Sequence, residues 1–181
     1  MVDNQQKKRF RENALKILKK ETKLNRYYTN KKVINFLYSY IKQGNFKQIM
    51  LYLPLKMEIN LYPLINCLRK ESRLLFVPFM EGKSFRLVKY RLPLQRKNFG
   101  IKEPKYSYQY KKRKIDLSIV PIVGVDQTFR RIGFGKGMYD RFFEKERKNI
   151  KNIVFVARKL CYSKEIVTND YDIRADIIVT P

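Results

Sequence analysis

The sequence predicts an α/β fold, a three-layer α/β/α single domain over residues 1–181 with a mostly parallel central sheet. Short apolar runs alternate along the chain with longer segments of helical periodicity, which is the order that a parallel sheet covered on both faces requires. Hydrophobic residues make up 44% of the chain, which is enough for a substantial core. Polar residues follow several of the apolar runs, so we expect a ligand site at the carboxyl ends of the strands.

Four segments have apolar residues at the spacing of a helix that buries one face. In the first, Ala14 and Leu18 lie on one face of an otherwise basic segment. Asn30 is typical of the N-cap of the second, and Gly44 is typical of its end. Pro63 fits only the first turn of the third. The predicted helices cover 10–24, 30–44, 59–70 and 138–148.

Six short apolar runs predict the strands of the sheet. The run at 84–90 alternates between apolar and polar residues, which indicates a half-exposed strand, whereas the other runs indicate buried strands. The region from 91 to 114 contains Pro93, Gly100 and Pro104 and is predicted to be a loop. The predicted strands cover 48–54, 73–78, 84–90, 115–125, 152–157 and 175–181.

The net charge is extreme, because 41 lysine and arginine residues against 16 aspartate and glutamate residues give +25. Since basic side chains neutralise phosphates, a nucleic-acid-binding protein is one interpretation. The basic residues are spread over nearly every segment, however, and the chain carries no RNA-recognition or double-stranded-RNA motif. This distribution favours an anionic small-molecule site, and nucleic acid is not expected as a specific partner.

The residue types that the chain lacks exclude several functions. Histidine is absent, which removes Ser-His-Asp and Cys-His catalysis and His-ligated metals. Cys67 and Cys161 do not have the spacing of a zinc site or a disulfide framework. The chain has no run of about 20 apolar residues, and residues 1–16 lack the apolar core of a secretory signal. We therefore expect a cytoplasmic protein with no membrane partner.

Polar residues mark the ends of several predicted strands. Glu58, Glu81 and Asp126 each follow an apolar run, and the glycine-rich stretch at 130–143 comes shortly after the last of them. Because the carboxyl ends of parallel strands meet at one edge of a sheet, we expect one site built from several strand-end loops.

The stretch RRIGFGKGMYDRFF, residues 130–143, holds three of the seven glycines at alternate positions. Its spacing matches neither the Walker A loop nor the dinucleotide fingerprint G-x-G-x-x-G. Glycines still allow backbone N–H groups to form an anion-binding nest, and the start of a helix adds its positive end. Lys136, Arg131 and Arg141 would add positive charge. A carboxylate at Asp140 indicates a Mg²⁺ ion between it and a phosphate.

On this pattern alone a second interpretation stays open, in which the glycines form only a turn before an amphipathic helix with Tyr139, Phe142 and Phe143 in the core. The wider sequence resembles the 5-formyltetrahydrofolate cyclo-ligase family, also called methenyltetrahydrofolate synthetases. Members carry R-L-G-x-G-x-G-Y-Y-D-R after a strand that ends P-x-x-x-F-D, and this chain has PIVGVDQTFRRIGFGKGMYDR. Four further segments agree in order, namely KKRFR, LYLPLKMEINLYPLI, FGIKEP and DIRADIIVT.

The resemblance implies an ATP- and Mg²⁺-dependent ligase that acts on a reduced folate. In this family the formyl oxygen of 5-formyltetrahydrofolate attacks the γ-phosphate of ATP. The neighbouring folate nitrogen then displaces phosphate and closes the ring of 5,10-methenyltetrahydrofolate, with ADP and phosphate as the other products. Such phosphoryl transfer depends on positioning and charge neutralisation, which a chain without histidine is able to supply.

The resemblance also implies roles for individual residues. Lys136 and Arg131 would be catalytic, Leu53, Glu58 and Met138 would bind the folate, and Asp140 and Asp172 would hold Mg²⁺. Without the resemblance, Glu58 would be a surface residue that caps a helix, and the basic residues of the first helix would be a solvated end. The residues expected to bind ATP are Lys7, Arg11, Arg131, Ile132, Gly133, Phe134, Gly135, Lys136, Gly137, Met138 and Tyr139.

Three positions depart from the family pattern. Met138 replaces a tyrosine that touches substrate and offers no hydroxyl. Phe129 replaces a common loop glycine, so a different turn is expected before Arg131, and Tyr171 replaces a histidine. A family member with an altered substrate or without activity therefore stays an alternative, although the presence of Lys136 and both aspartates argues against lost catalysis.

Overall fold

The computed structural model describes residues 4–24, 26–97, 100–105 and 114–181. The chain begins with two helices, and its other two helices lie between strands. The helices are α1 (Asn4–Lys23), α2 (Arg26–Gln43), α3 (Tyr62–Lys70) and α4 (Met138–Glu146). The strands are β1 (Gln48–Met50), β2 (Leu74–Glu81), β3 (Ser84–Lys89), β4 (Leu94–Arg96), β5 (Lys102–Pro104), β6 (Ile115–Pro121), β7 (Gly124–Val125), β8 (Arg131–Ile132), β9 (Ile150–Val156) and β10 (Ile177–Val179).

The central sheet has six strands in the order β10-β9-β6-β1-β2-β3. Its neighbouring strands are parallel except for β2 and β3, which form an antiparallel hairpin at one edge. The predicted mostly parallel sheet is therefore confirmed. Parallel strands point their carboxyl ends to the same edge, and the loops that leave this edge are close in space.

Side chains alternate between the two faces of the sheet, and each face is covered by helices. On one face Leu37 of α2 and Leu64 of α3 belong to the same buried cluster as Leu117 of β6. On the other face Phe143 of α4 packs in a cluster with Phe155 of β9. Burial of one such side chain contributes about 1.5–3 kcal/mol. These two apolar layers confirm the predicted α/β/α arrangement.

The helix α1 does not lie on a face of the sheet. Its apolar stripe, with Ala14 and Leu18 buried, packs on Val123 and Cys161 in loops that follow β6 and β9. This contact brings the amino-terminal part of the chain to the carboxyl edge of the sheet. None of the helices in the described part of the chain combines the length and apolar character needed to cross a bilayer.

Several predicted elements have other boundaries in the structure, among them the second helix and the strand at 115–125. The second helix begins at Arg26, so Asn30 is not its N-cap, and the Asn30 amide oxygen instead accepts a hydrogen bond from the Asn60 N–H over 3.2 Å. The predicted strand at 115–125 is divided, because the chain leaves the sheet after Pro121. A Cβ atom at Gly124 would lie 2.4 Å from the Cys161 carbonyl oxygen, so the short β7–β8 hairpin depends on glycine there.

The prediction of a loop over 91–114 is wrong in part. Within it, β4 and β5 pair in an antiparallel two-stranded sheet. The buried Glu103 carboxylate accepts a hydrogen bond from the Met80 N–H over 2.9 Å and so ties β5 to β2. Composition alone does not reveal such a long-range contact. Residues 98–99 and 106–113 of this region lie outside the described residues, and so does the phenylalanine of the FGIKEP motif.

Candidate active site

A cavity of about 460 Å³ opens beyond the carboxyl ends of β1 and β6. Its wall is formed by the loop after β1, the tip of the β2–β3 hairpin, the start of β5 and the glycine loop, defined as residues 133–137. Most of the lining is apolar, as in pockets that bind flat organic ligands. The charged side chains that line it within the described chain are Glu58, Lys83, Lys102, Arg131, Lys136 and Arg141.

Glu58 is held in the wall by its own turn. The Leu55 N–H donates a hydrogen bond to Glu58 Oε2 over 2.7 Å, and the Glu58 N–H donates to the Leu55 carbonyl over 3.1 Å. Burial raises the pKa of the Glu58 carboxyl to about 7, although the Leu55 hydrogen bond and the charge of Arg131 lower it in part. Near neutral pH the cavity therefore contains a carboxyl group that is available in both protonation states.

Arg131 is buried at the floor of the glycine loop. Its Nε and Nη2 atoms donate hydrogen bonds to the Pro121 carbonyl over 3.2 and 3.1 Å, and Nη1 lies 3.5 Å from Asp140 Oδ1. The guanidinium carbon is 4.7 Å from the centroid of the Tyr139 ring. These contacts fix the guanidinium plane, so Arg131 presents its charge in one orientation.

The backbone of the glycine loop needs residues without side chains. A Cβ atom at Gly133 would lie 2.3 Å from Arg131 Nη1. Gly137 stands at the N-cap of α4 with a φ of 62°, which side chains disfavour. No side chain of the described residues caps this helix, so its first N–H groups point to a place where an anion is stabilised.

The first helix reaches this loop from the outside. Arg11 Nε donates a hydrogen bond to the Gly133 carbonyl over 2.8 Å, and its guanidinium carbon lies 3.4 Å from the Cβ position of Gly135. Lys7 lies one turn earlier on the same helix and forms an ion pair with Asp172, with Nζ and Oδ2 2.5 Å apart. Arg11 therefore contacts the glycine loop, and Lys7 lies four residues earlier on the same face of α1.

Asp140 and Asp172 are the carboxylates expected to hold a divalent cation. Both are connected to Arg131, because Asp140 faces its guanidinium and the carbonyl of Ile173, next to Asp172, accepts its backbone N–H over 2.8 Å. Each carboxylate already faces a cation, since Lys7 pairs with Asp172. Within the described residues, no group of three or more acidic or cysteine side chains suits a metal. Two carboxylates beside an anion site do fit Mg²⁺, which usually takes one or two of them plus phosphate oxygens.

The structure gathers the predicted site residues in two groups. The first group lines the cavity itself, whereas the second lies around the back of the glycine loop. Ile132 is buried in β8, and its carbonyl accepts the Val123 N–H. The predicted residues in the lining are Leu53, Glu58, Arg131, Phe134, Lys136, Gly137, Met138 and Tyr139. Those around the loop are Lys7, Arg11, Gly133, Gly135, Asp140 and Asp172.

Two acidic residues at predicted strand ends have structural contacts instead. Glu81 pairs with Arg86 on the exposed edge hairpin. Asp126 is fully buried, and its carboxylate accepts hydrogen bonds from the N–H and hydroxyl groups of both Thr128 and Thr168. Asp126 therefore fixes the loop before β8 to the carboxyl-terminal segment, rather than contributing to the cavity.

Arg158 was not among the predicted site residues, and it is buried two residues after the end of β9. Its guanidinium donates hydrogen bonds to the carbonyls of Met57 and Glu58 and to the Thr29 hydroxyl. In the sequence, Arg158 is a charged residue at the end of the fully apolar run 153–157. A charged side chain is usually solvated, so its burial was not expected.

The three departures from the family pattern have distinct environments. Phe129 adopts a φ of 57°, a left-handed conformation that glycine adopts without strain and that a side chain disfavours. Met138 lines the cavity. Tyr171 is exposed, with Lys7 Nζ 5.9 Å from its ring centroid.

The fold and the site together define a class: an α/β protein in which a glycine loop, fixed cations and a buried carboxyl group meet at the carboxyl edge of the sheet. Residues 3–181 match the model of the 5-formyltetrahydrofolate cyclo-ligase family. The chain therefore belongs to this family, and it is an enzyme of the ligase class. The family predicted from the motifs is confirmed.

Individual relatives agree with this assignment. The 5-formyltetrahydrofolate cyclo-ligase of Haemophilus influenzae is 27% identical over 175 residues, which cover 93% of this chain and 91% of that protein. The structure of a 5,10-methenyltetrahydrofolate synthetase from Aquifex aeolicus is 32% identical, with a TM-score of 0.76 over 96% of this chain and 89% of its own. A synthetase from Mycoplasma pneumoniae shares the fold, with a TM-score of 0.71 at 19% identity over 95% of this chain and 96% of its own.

Proposed function

We propose that this protein closes the ring of 5-formyltetrahydrofolate to give 5,10-methenyltetrahydrofolate, with MgATP as the phosphoryl donor and ADP and phosphate as products. Membership of the cyclo-ligase family supports the reaction. The observation that carries the proposal for this chain is that Glu58 and Lys136 line one cavity. A folate-binding carboxyl group and a phosphate-binding loop must share one site if a formyl oxygen is to attack a phosphate.

The folate would lie in the apolar part of the cavity. Leu53 and Met138 offer apolar contact surfaces for the flat pterin ring, and Phe85 lines the same wall. Glu58 would accept hydrogen bonds from the amino and ring N–H groups of the pterin. Because its pKa is about 7, bound donors would draw the carboxyl group into its ionised form.

ATP would lie with its phosphates on the glycine loop. Backbone N–H groups of the glycine loop and the start of α4 would donate hydrogen bonds to the phosphate oxygens. Lys7 and Arg11 would reach the phosphates from α1, on the outer side of the loop. Lys7 would then leave Asp172 and bind a phosphate oxygen, so that one negatively charged partner replaces another.

The proposed reaction has two steps. The formyl oxygen forms a bond to the γ-phosphorus while the bond to the ADP oxygen breaks. The neighbouring folate nitrogen then attacks the activated formyl carbon and loses its proton, and the carbon–oxygen bond breaks to release phosphate. Lys136 and Arg131 would stabilise the charge that develops on the transferred phosphoryl group, where fixed donors act most strongly.

Asp140 and Asp172 would hold Mg²⁺ together with phosphate oxygens. The bound ion would neutralise part of the negative charge of the phosphates. The contribution of this chain is to keep two carboxylates beside the loop, with Asp140 paired to Arg131 and Asp172 paired to Lys7.

The proposal is tested by mixing purified protein with 5-formyltetrahydrofolate and MgATP and following the near-ultraviolet absorbance of the methenyl product. We expect the band to grow with one ADP formed per product, and to stop growing when a chelator removes Mg²⁺. A matched reaction with ADP in place of ATP is the control. A flat trace despite saturable ATP binding would reject the folate as substrate and favour a family member with another acceptor.

A further inference from the structure

Arg158 is a buried cation next to the site but outside the lining that the described residues form. Only 4% of its surface is exposed, and it lies two residues after the end of the apolar strand β9. A buried guanidinium is costly unless its donors are satisfied, because desolvation removes several favourable contacts with water. Its hydrogen-bond partners therefore indicate what the buried charge does.

Those partners belong to two other segments. Nε donates to the Met57 carbonyl over 3.1 Å, and Nη2 donates to the Glu58 carbonyl over 2.6 Å. Nη1 donates to the Thr29 hydroxyl of α2 over 3.2 Å. Because one planar guanidinium binds two consecutive carbonyl groups, it fixes the orientation of both peptide units that flank Glu58.

The orientation of the two peptide units that flank Glu58 decides where its side chain points. The turn that carries it is short, since the Glu58 N–H bonds back to the Leu55 carbonyl and the Leu55 N–H bonds to the carboxylate. The turn has no helix or strand of its own to fix it, because β1 ends at Met50 and α3 begins at Tyr62. Arg158 connects this irregular segment to the rigid carboxyl end of β9.

We propose that Arg158 is a positioning residue for substrate: its guanidinium holds the Met57 and Glu58 carbonyls and thereby fixes the Glu58 carboxyl group in the cavity wall. The inference rests on the proposed function, in which Glu58 binds the folate. Arg158 acts through backbone geometry, whereas Arg131 is the arginine whose charge lowers the pKa of Glu58. A change at Arg158 is therefore expected to affect folate binding and to leave ATP binding unchanged.

The first test does not depend on catalysis. Amide hydrogen exchange of Leu55, whose N–H donates to Glu58, is compared between the wild type, Arg158→Gln and Arg158→Lys. We expect exchange at Leu55 to accelerate about tenfold or more in Arg158→Gln and less in Arg158→Lys, which keeps one donor group. Lys159→Gln is the matched control, because this neighbour is exposed and pairs with Glu21 on the surface. Unchanged exchange in both Arg158 variants would overturn the positioning role.

The second test is a double-mutant cycle with Glu58→Gln. We expect Arg158→Gln to raise the KM for 5-formyltetrahydrofolate about tenfold or more, with less than about a twofold change in the KM for ATP. In the Glu58→Gln background the same change is expected to have almost no further effect on the folate. Full additivity of the two changes would overturn the proposal, and Arg158→Lys replaces Arg158→Gln in the cycle if the latter does not fold.

The two tests separate the possible failures. If the wild type does not turn over the folate, the proposed function fails, and the Leu55 exchange data still decide whether Arg158 fixes this turn. If the wild type is active and the exchange accelerates while the cycle is additive, Arg158 supports the fold of the turn and not the binding of folate.

Discussion

Lys7 and Asp172 form an ion pair across 165 positions of the chain, with Nζ and Oδ2 2.5 Å apart. Both side chains are largely buried, and Asp172 Oδ2 also accepts the Asn169 N–H over 2.8 Å. The pair joins the first helix to the carboxyl-terminal segment beside the glycine loop. The two ends of the chain thus meet at the site, and each supplies a residue that the sequence resemblance assigned to MgATP.

Removal of one partner of this pair is expected to lower stability. Lys7→Met leaves the buried Asp172 carboxylate without its cation, which costs about 3 kcal/mol in the free energy of unfolding. Urea denaturation measures the effect, and Lys8→Met is the control because Lys8 is exposed on the same helix. Equal stabilities of the two variants would contradict the importance of the pair.

The pKa of Glu58 predicts a pH-dependent contribution to stability. Burial raises it from 4.5 to about 7, so the folded state binds the proton more tightly than the unfolded state. The contribution is present below pH 4.5 and is lost as the pH rises to about 7. Glu58→Gln removes this dependence, and at pH 8 it is expected to stabilise the protein by an amount of order 3 kcal/mol.

The measurement is the difference in unfolding free energy between Glu58→Gln and the wild type at pH 4.5 and pH 8. We expect a small difference at the lower pH, because a protonated carboxyl group and an amide have similar hydrogen-bonding groups. Glu144→Gln, an exposed change on α4, is expected to show no such trend. If the difference between Glu58→Gln and the wild type is the same at both pH values, burial does not raise the pKa of Glu58.

The left-handed backbone at Phe129 predicts an unusual order of stabilities. With a φ of 57°, a residue with a Cβ atom costs about 1 kcal/mol or more. Phe129→Ala and Phe129→Gly both remove the ring, which is half exposed and near Tyr162. We expect the glycine variant to be the more stable of the two by about 1 kcal/mol in chemical denaturation. The reverse order would argue against the left-handed turn.

The buried Asp126 carboxylate is expected to be among the most sensitive positions of the fold. Burial alone would raise its pKa, but hydrogen bonds from Thr128 and Thr168 outweigh this and hold the pKa below 3.8. Asp126→Ala leaves those donors without a partner and is expected to cost about 4 kcal/mol. The fully exposed Asp170→Ala is the control and should stay within about 0.5 kcal/mol.

The stabilising effect of Asp126 should also depend on pH. Because its folded pKa is lowered, the contribution is present above pH 3.8 and is lost as the pH falls through the folded pKa. The stability difference between the wild type and Asp126→Ala is therefore expected to shrink in strongly acidic solution. A difference that grows with acidity would contradict the ionised state in the fold.

The catalytic role proposed for Lys136 has a kinetic signature. Lys136→Ala should lower kcat by about a hundredfold or more if the ammonium group meets charge that develops on the transferred phosphoryl group. Lys145→Ala, an exposed change on α4, is the matched control. A change confined to the KM for ATP would make Lys136 an ordinary ground-state contact.

Local patterns in the sequence were sufficient for the element types and for the family. Apolar periodicity indicates whether one face or both faces of a segment are buried. The α/β class and the six strands of the central sheet were therefore predictable from the sequence. The glycine stretch predicted an anion-binding loop because its residue types serve a local backbone geometry. Pro63 lies in the first turn of α3 for the same local reason.

Contacts between distant segments were decided only by the tertiary structure. Asn30 binds Asn60 instead of capping its helix, Glu103 ties β5 to β2, and Arg158 turns inward to the Glu58 turn. A buried polar side chain bonds to the partner that the packed chain brings within reach, because a buried polar group without a partner is costly. The sequence determines which groups need partners, and three-dimensional packing determines which partners they find.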